Sequence, residues 1–241
     1  SDALENLKDI LKNNNLELAS VNNYFFLNNK LVKLSIAYKD QDSLTYFYAE
    51  DLANLDINID LETSNQHELN LYLYNPKKLN ISINAKKYEA KLILNLLVIT
   101  NNKQSDIKIN AINKEDKTEL VVKAMALGFN KADIKIECIG EIEKNKKMTI
   151  NKQSLKGYNY NDSHITLLPI LKINEFDVKA NHAALIGFPN SEDIFYLMSR
   201  GISFKDANQL IQKGLIAPWL DKVKNEEFRK AVDKVLDKVY E

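Results

Sequence analysis

From residue 55 the chain alternates apolar and polar positions in short blocks: Ile57/Ile59/Leu61, Leu69/Leu71/Leu73, Leu79/Ile81/Ile83, Leu92/Leu94/Leu96 and Ile107/Ile109/Ala111. The alternation continues with Leu120/Val122/Ala124, Ile134/Ile136/Cys138, Met148/Ile150, Ile165/Leu167 and Phe176/Val178. A period of two is that of a strand with one buried face. The blocks recur about every 13 residues, which leaves no room for crossover helices, so the body of the protein is predicted to be all-β. Residues 16–50, with Tyr24-Phe25-Phe26, Leu31, Leu34, Ile36 and Tyr46-Phe47-Tyr48, also read as strands. Before them Leu4, Leu7, Ile10 and Leu11 recur at helical spacing, predicting a short amphipathic helix over residues 2–12, ended by Asn13-Asn14-Asn15.

The period changes once, between residues 172 and 202. Phe176, Val178 and Ala180 share strand parity, and His182 follows on the same face. Asn190 or Ser191 can then cap a helix that carries Glu192 and Asp193 in its first turn and Ile194, Phe195, Leu197 and Met198 as its stripe. Arg200 lies at its end and Gly201 is the expected left-handed stop. A second helix starts at Ser203, with Asp206 at capping-box spacing, and is expected to stop at Gly214; an apolar break over 215–219 precedes a third helix. That helix has Phe228, Ala231, Val232, Val235 and Val239 on one face. The chain thus divides into an N-terminal region (1–50), a strand-rich body (51–189) and a helical segment (190–241).

Two architectures hold so many short strands: an antiparallel sandwich, or a parallel solenoid whose coils stack. Tight hairpins favour Asn-Gly, Asp-Gly or Gly-Gly, which are absent, and no glycine precedes Gly128. Asparagines at the gaps (Asn75, Asn84, Asn101, Asn102, Asn113) tolerate the left-handed region and suit solenoid corners, though sandwich turns can use them too.

Charge changes the picture little. Lys+Arg 33 against Asp+Glu 33 gives no bias toward nucleic acid or an acidic membrane surface, and no apolar run is long enough to cross a bilayer. A partner must therefore be recognised by shape and apolar contact. No secretory leader is visible, and the single cysteine, Cys138, excludes an intramolecular disulfide and fits a reducing cytosol. Phosphate loops, G-x-S-x-G, H-E-x-x-H and C-x-x-C are all missing, and the carboxylates are scattered among lysines. No enzymatic centre is predicted.

Among candidate ligands, His182 is the sharpest, because an imidazole nitrogen is a borderline ligand for iron or zinc and titrates near neutral pH. Its parity with Val178 equally allows a packing role. Cys138 shares a face with Ile134 and Ile136 and reads as a small core residue; His67 and His164 read as packing or surface residues. Phe195-Tyr196-Leu197 puts bulky groups on successive helix faces, so at least one points away from the protein's own core; it serves either as an interface anchor or as a cap on the open solenoid end. A solenoid that binds or processes polysaccharide is a different class of function. It would need paired carboxylates or an aromatic ladder.

The run from Asp177 through Val178, Lys179, His182, Ala184 and Gly187 to Phe195-Tyr196-Leu197 and Ser199-Arg200-Gly201-Ile202 resembles the C-terminal signature of the SufB/SufD family of iron–sulfur cluster assembly proteins, nearer its SufD branch. The resemblance implies a right-handed parallel β-helix followed by a helical segment. It implies pairing with a SufB-like subunit or a second copy, and docking of the SufC ATPase through Phe195, Tyr196, Leu197, Arg200, Ile202, Leu210 and Ile211. The histidine associated in the family with a cluster site at the SufB interface falls on His182, so no stable cofactor is expected, only a transient iron–sulfur cluster shared with a partner. Asp177, Lys179, Gly187 and Gly201 match the motif, whereas Ala180 stands where a cysteine is frequent, and Ala183 and Leu185 where Gly and Thr are usual. Any thiolate would then come from another subunit. The resemblance also implies a longer protein, with part of the solenoid or the N-terminal region beyond these residues.

Overall fold

The computed structural model describes residues 5–18, 22–188 and 190–240. Its strands are β1 (Glu5–Ile10), β2 (Asn14–Leu18), β3 (Asn22–Leu27), β4 (Lys33–Tyr38), β5 (Ser43–Glu50), β6 (Leu55–Leu61), β7 (Gln66–Tyr74) and β8 (Lys78–Ala85). They continue as β9 (Lys91–Asn101), β10 (Gln104–Asn113), β11 (Glu119–Phe129), β12 (Asp133–Ile142), β13 (Thr149–Asn159), β14 (His164–Ile173) and β15 (Val178–Gly187), followed by α1 (Ser191–Ser199), α2 (Phe204–Asp221) and α3 (Glu226–Tyr240). Odd-numbered strands form one parallel sheet and even-numbered strands the other, each in sequence order. The fold is therefore a parallel β-solenoid with one strand per sheet in every coil.

Stacking is in register: Phe25, Phe47, Leu71, Leu96, Ala124 and Leu155 form one inward row on the odd sheet. Such rows fill the continuous core between the sheets. On the even sheet the row Ile36, Ile59, Ile83, Ala111, Gly140, Leu171 narrows to a glycine before the last coil. The reason is visible at Gly140, where any Cβ would collide with the buried Asn151 side chain from β13. That exposes a misread parity. Met148/Ile150 were expected inward, but the inward set of β13 is Thr149, Asn151, Gln153 and Leu155, and Met148 is an exposed left-handed corner residue. Asn151 donates to Ala111 O and Asn113 Oδ1, and Asn113 donates to Thr118, so hydrogen bonds replace apolar packing in this coil.

The corners use left-handed residues as anticipated at Asn75 and Asn102, and also at Asn130 and Asn161, whereas Asn84, Asn101 and Asn113 lie inside strands. Corner side chains form their own ladder: Asn161 donates to Asn130, and Asn130 to Asn101.

Three further expectations need correction. Residues 5–10 are a strand, β1, paired with β3, and not part of a helix; Leu4 of the expected stripe lies outside the described residues. A short isolated helix is marginal in water, and the free edge of β3 offers hydrogen bonds the helix would have to do without. Accordingly Ile10 is 5% exposed and Leu11 66%, although the expected stripe held both. Phe176 is not in a strand but fully exposed in the turn before β15. Finally, α2 does not stop at Gly214 but runs through it and Pro218 to Asp221. Leu215, Ile216, Trp219 and Leu220 all pack on the outer face of the odd sheet, which outweighs the local breakers.

That outer face holds an aromatic cluster. Tyr24, Phe26, Tyr46, Tyr48 and Tyr72 surround Phe228 of α3, with ring centroids 5.4–6.0 Å away. Tyr72 and Tyr46 donate their hydroxyls to Trp219 O (2.6 Å) and Lys222 O (3.1 Å), satisfying carbonyls at the end of α2, and Tyr24 Oη accepts from Lys224 N. Val232, Val235 and Val239 complete the predicted α3 stripe, all buried.

Candidate functional site: the open end of the solenoid and its helical hairpin

Strand β13 is covered on both edges, but β15 pairs only with β13 and β14 only with β12. Nothing in the described chain stacks on this last coil, because α2 and α3 fold back along the flank and not over the end. Phe195 and Tyr196, considered as a cap on the solenoid end, are themselves exposed. The consequence is an end face whose interior side chains are uncovered. Leu167, Pro169 and Leu171 of β14 are half-buried, whereas their counterparts Ile136 and Cys138 one coil earlier are fully buried. Along β15 the inward-facing Ile186 is exposed, as are Leu185 on the outer face beside Lys156 in the register and Phe188 beyond the strand, at 71%.

His182 lies in the middle of this edge. It stands beside Gln153 in the register, on the face that continues the solenoid interior, and is exposed only because no further coil follows. Asp177 and Lys179 are exposed at the start of β15, and the Asp177 carbonyl accepts from Met148 N at 2.7 Å. Gly187 ends the strand where an added Cβ would press on the Tyr158 ring at 2.9 Å, a close approach that accounts for glycine there.

After it, Asn190 Oδ1 accepts from Glu192 N and starts α1. The helix ends in a Schellman arrangement, Ile202 N to Leu197 O and Gly201 N to Met198 O, with Gly201 at φ +87°. Ser203 caps α2 through Asp206 N. Of α1 only Ile194 is buried; Phe195 is 74% exposed, Tyr196, Met198, Phe204 and Leu210 are exposed, and Leu197, Ile202 and Ile211 are half-buried. Arg200 stacks over Tyr196, 5.1 Å from its ring centroid. The structure therefore brings Phe195, Tyr196, Leu197, Arg200, Ile202, Leu210 and Ile211 onto one projecting hairpin, immediately after the strand that bears His182.

The other titratable candidates lie elsewhere. Cys138 is buried among Ile134, Ile136 and Ile109, and burial pushes its thiol up to about 12, which makes it a packing residue. His67 is 2% exposed at an interior corner, between Ser43 Oγ (2.7 Å) and Thr63 Oγ1 (3.2 Å), stacked on Tyr38 at 3.9 Å. Burial lowers its pKa to about 4, so it is neutral and structural. Among the described residues no three His, Cys, Asp or Glu side chains converge as a metal site. A surface groove along one corner, lined by Asp51, Lys77, Lys103, Asp106, Asp133 and Lys135 among others, mixes both charges and has no aromatic wall, unlike a glycan-binding cleft. No helix among the described residues is long and apolar enough to cross a membrane.

Comparison with known proteins agrees with this geometry. The family model "SUF system FeS cluster assembly, SufBD core domain" matches residues 73–215, from β7 into α2. The chain is 39% identical over 70 residues to the iron–sulfur cluster assembly protein SufD of Bacillus subtilis, a stretch covering 29% of this chain and 16% of that one. It is 39% identical over 64 residues to SufD of Escherichia coli (27% and 15% of the two chains), and 48% identical over 44 residues to a SufBD family protein of Pyrococcus horikoshii (18% and 10%). The matched stretches thus span only a small part of these relatives' lengths. With more than half of its residues inside the family model and the fold to match, this chain belongs to the SufBD core-domain family.

Proposed function

We propose that the chain is a SufD-like scaffold subunit of a cytoplasmic SUF iron–sulfur cluster assembly complex, acting as a binding framework and not as an enzyme. The observation that carries this reading is the bare terminal coil: an unpaired strand edge and exposed Leu185, Ile186 and Phe188 beside His182, next to a hairpin that presents Phe195 and Tyr196. An exposed strand edge with apolar neighbours is a pairing surface. β14 is blunted by Pro169, whereas β15 contains no proline, so β15 is the edge that can take a strand from a SufB-like subunit or a second copy. His182 would then lie inside the joint, where a partner's thiolate could complete a site for a transient cluster, which is cargo and not a resident cofactor. The hairpin of α1 and the first half of α2 is the docking surface for a SufC-like ATPase, since Phe195, Tyr196 and Leu210 are exposed on it.

Co-purification of the full chain with SufC-like and SufB-like proteins tests this. Binding of the ATPase is expected to be lost on deletion of residues 190–216, and binding of the SufB-like chain on Leu185→Lys. Absence of both partners from the intact chain, or retention of both after these changes, overturns the proposal.

A further inference from the structure

Beside His182 in the solenoid interior lies a buried amide whose acceptor is unused. Gln153 is 3% exposed, and its Nε2 donates to Ile170 O at 2.9 Å. That bond fixes the orientation of the amide, because the flipped form would set two oxygens against each other. Its Oε1 is therefore assigned, and it is buried with no hydrogen-bond partner among the described residues. The neighbouring interior amide of Asn113 behaves differently, since its Oδ1 accepts from Asn151 Nδ2 at 2.9 Å. An unused buried acceptor is costly and calls for a donor. The ladder row through Gln153 runs Val122, Gln153, His182. Val122 is apolar and buried, so His182 is the donor the row offers.

Resting on the proposed role of His182, we infer that Gln153 is a positioning residue for it. When the imidazole takes the rotamer that continues the row, one ring N–H donates to Gln153 Oε1. This fixes the tautomer and leaves the lone pair of the other nitrogen directed out of the open end. An acceptor behind a ligating histidine is the usual means of orienting it and raising its basicity. Gln153 would thereby select which nitrogen is offered to a metal held at the subunit joint, without touching the metal.

The test uses the full chain labelled with 15N, reading the His182 tautomer from long-range 1H–15N couplings. The wild type is expected to hold one tautomer, Gln153→Leu to give a mixture, and Gln153→Glu, which keeps an acceptor, to restore the single form. Equal tautomer populations in wild type and Gln153→Leu overturn the inference. In the reconstituted pair with a SufB-like chain, cobalt(II) serves as probe, and its affinity is expected to fall about 10- to 100-fold in Gln153→Leu. His182→Ala with cobalt binding unchanged would sink the ligand role instead, whatever the tautomer experiment shows. Circular dichroism of each variant checks that the solenoid is intact.

Discussion

Two surfaces of the same solenoid carry large aromatic and aliphatic side chains and have opposite fates. On the flank, the outward residues of the first coils are Tyr24, Phe26, Tyr46, Tyr48 and Tyr72, and α2 and α3 return to bury them around Phe228. At the end, Leu185, Ile186 and Phe188 lie just before α1 in sequence and stay exposed. The flank is a second core made by the chain for itself. The end stays uncovered although three helices follow it in the chain, and this contrast is what the proposed partner surface rests on.

The comparison can be broken most directly at its centre. Phe228 is 0% exposed, and Phe228→Ala should cost about 3–5 kcal/mol in urea denaturation, as other buried aromatic truncations do. A loss below about 1 kcal/mol would mean that the flank is not a true core. Next in size is a pH effect confined to the interior. The pKa of His67 is lowered to about 4 from an unfolded value near 6.5, so the unfolded state binds the extra proton in this window. The stability it contributes is therefore complete above about pH 6.5 and falls by about 3 kcal/mol on acidification toward pH 4. His67→Gln should flatten that part of the stability–pH curve, and an unchanged slope would refute the assignment. Smaller again is Tyr72→Phe, which removes one bond to the Trp219 carbonyl and should cost about 1 kcal/mol while leaving the ring packing in place. Smallest for stability are the bare surfaces. Phe195→Ala and Leu185→Lys should shift unfolding by less than about 0.5 kcal/mol, while each abolishes association with its own partner. A large stability loss from either would show that these residues belong to the fold and not to an interface.

Legibility varied for physical reasons. The strands from β6 to β12 were readable because both sheets bury their inward rows, so period two survives in the sequence. β13 was not, since its interior is polar and its apolar Met148 and Ile150 face outward or lie at the corner. The same cause hid Gln153, for a buried glutamine looks like a surface one until its row is known. The hairpin was legible through its caps, Asn190, Gly201 and Ser203, which act within one turn. His182 could be picked out, but whether it faced the interior or a partner could not, because that depends on whether another coil follows. The tyrosines read as scattered; coil repeats of 24 residues (Ser43 to His67) and 25 (Gln66 to Lys91) bring them onto one flank.

What the amino-acid order determined by itself was local: the two-residue period of most coils, the capped ends of α1, the capped start of α2, the amphipathic stripe of α3 and the absence of an enzymatic motif. The tertiary structure alone decided that residues 5–10 join a sheet edge, that α2 crosses Gly214 and Pro218, and that the helices lie on the flank and leave the end open. Each of those outcomes compares burial gained against distant parts of the chain with a local preference worth about 1–3 kcal/mol, and such a comparison exists only once the coils are stacked.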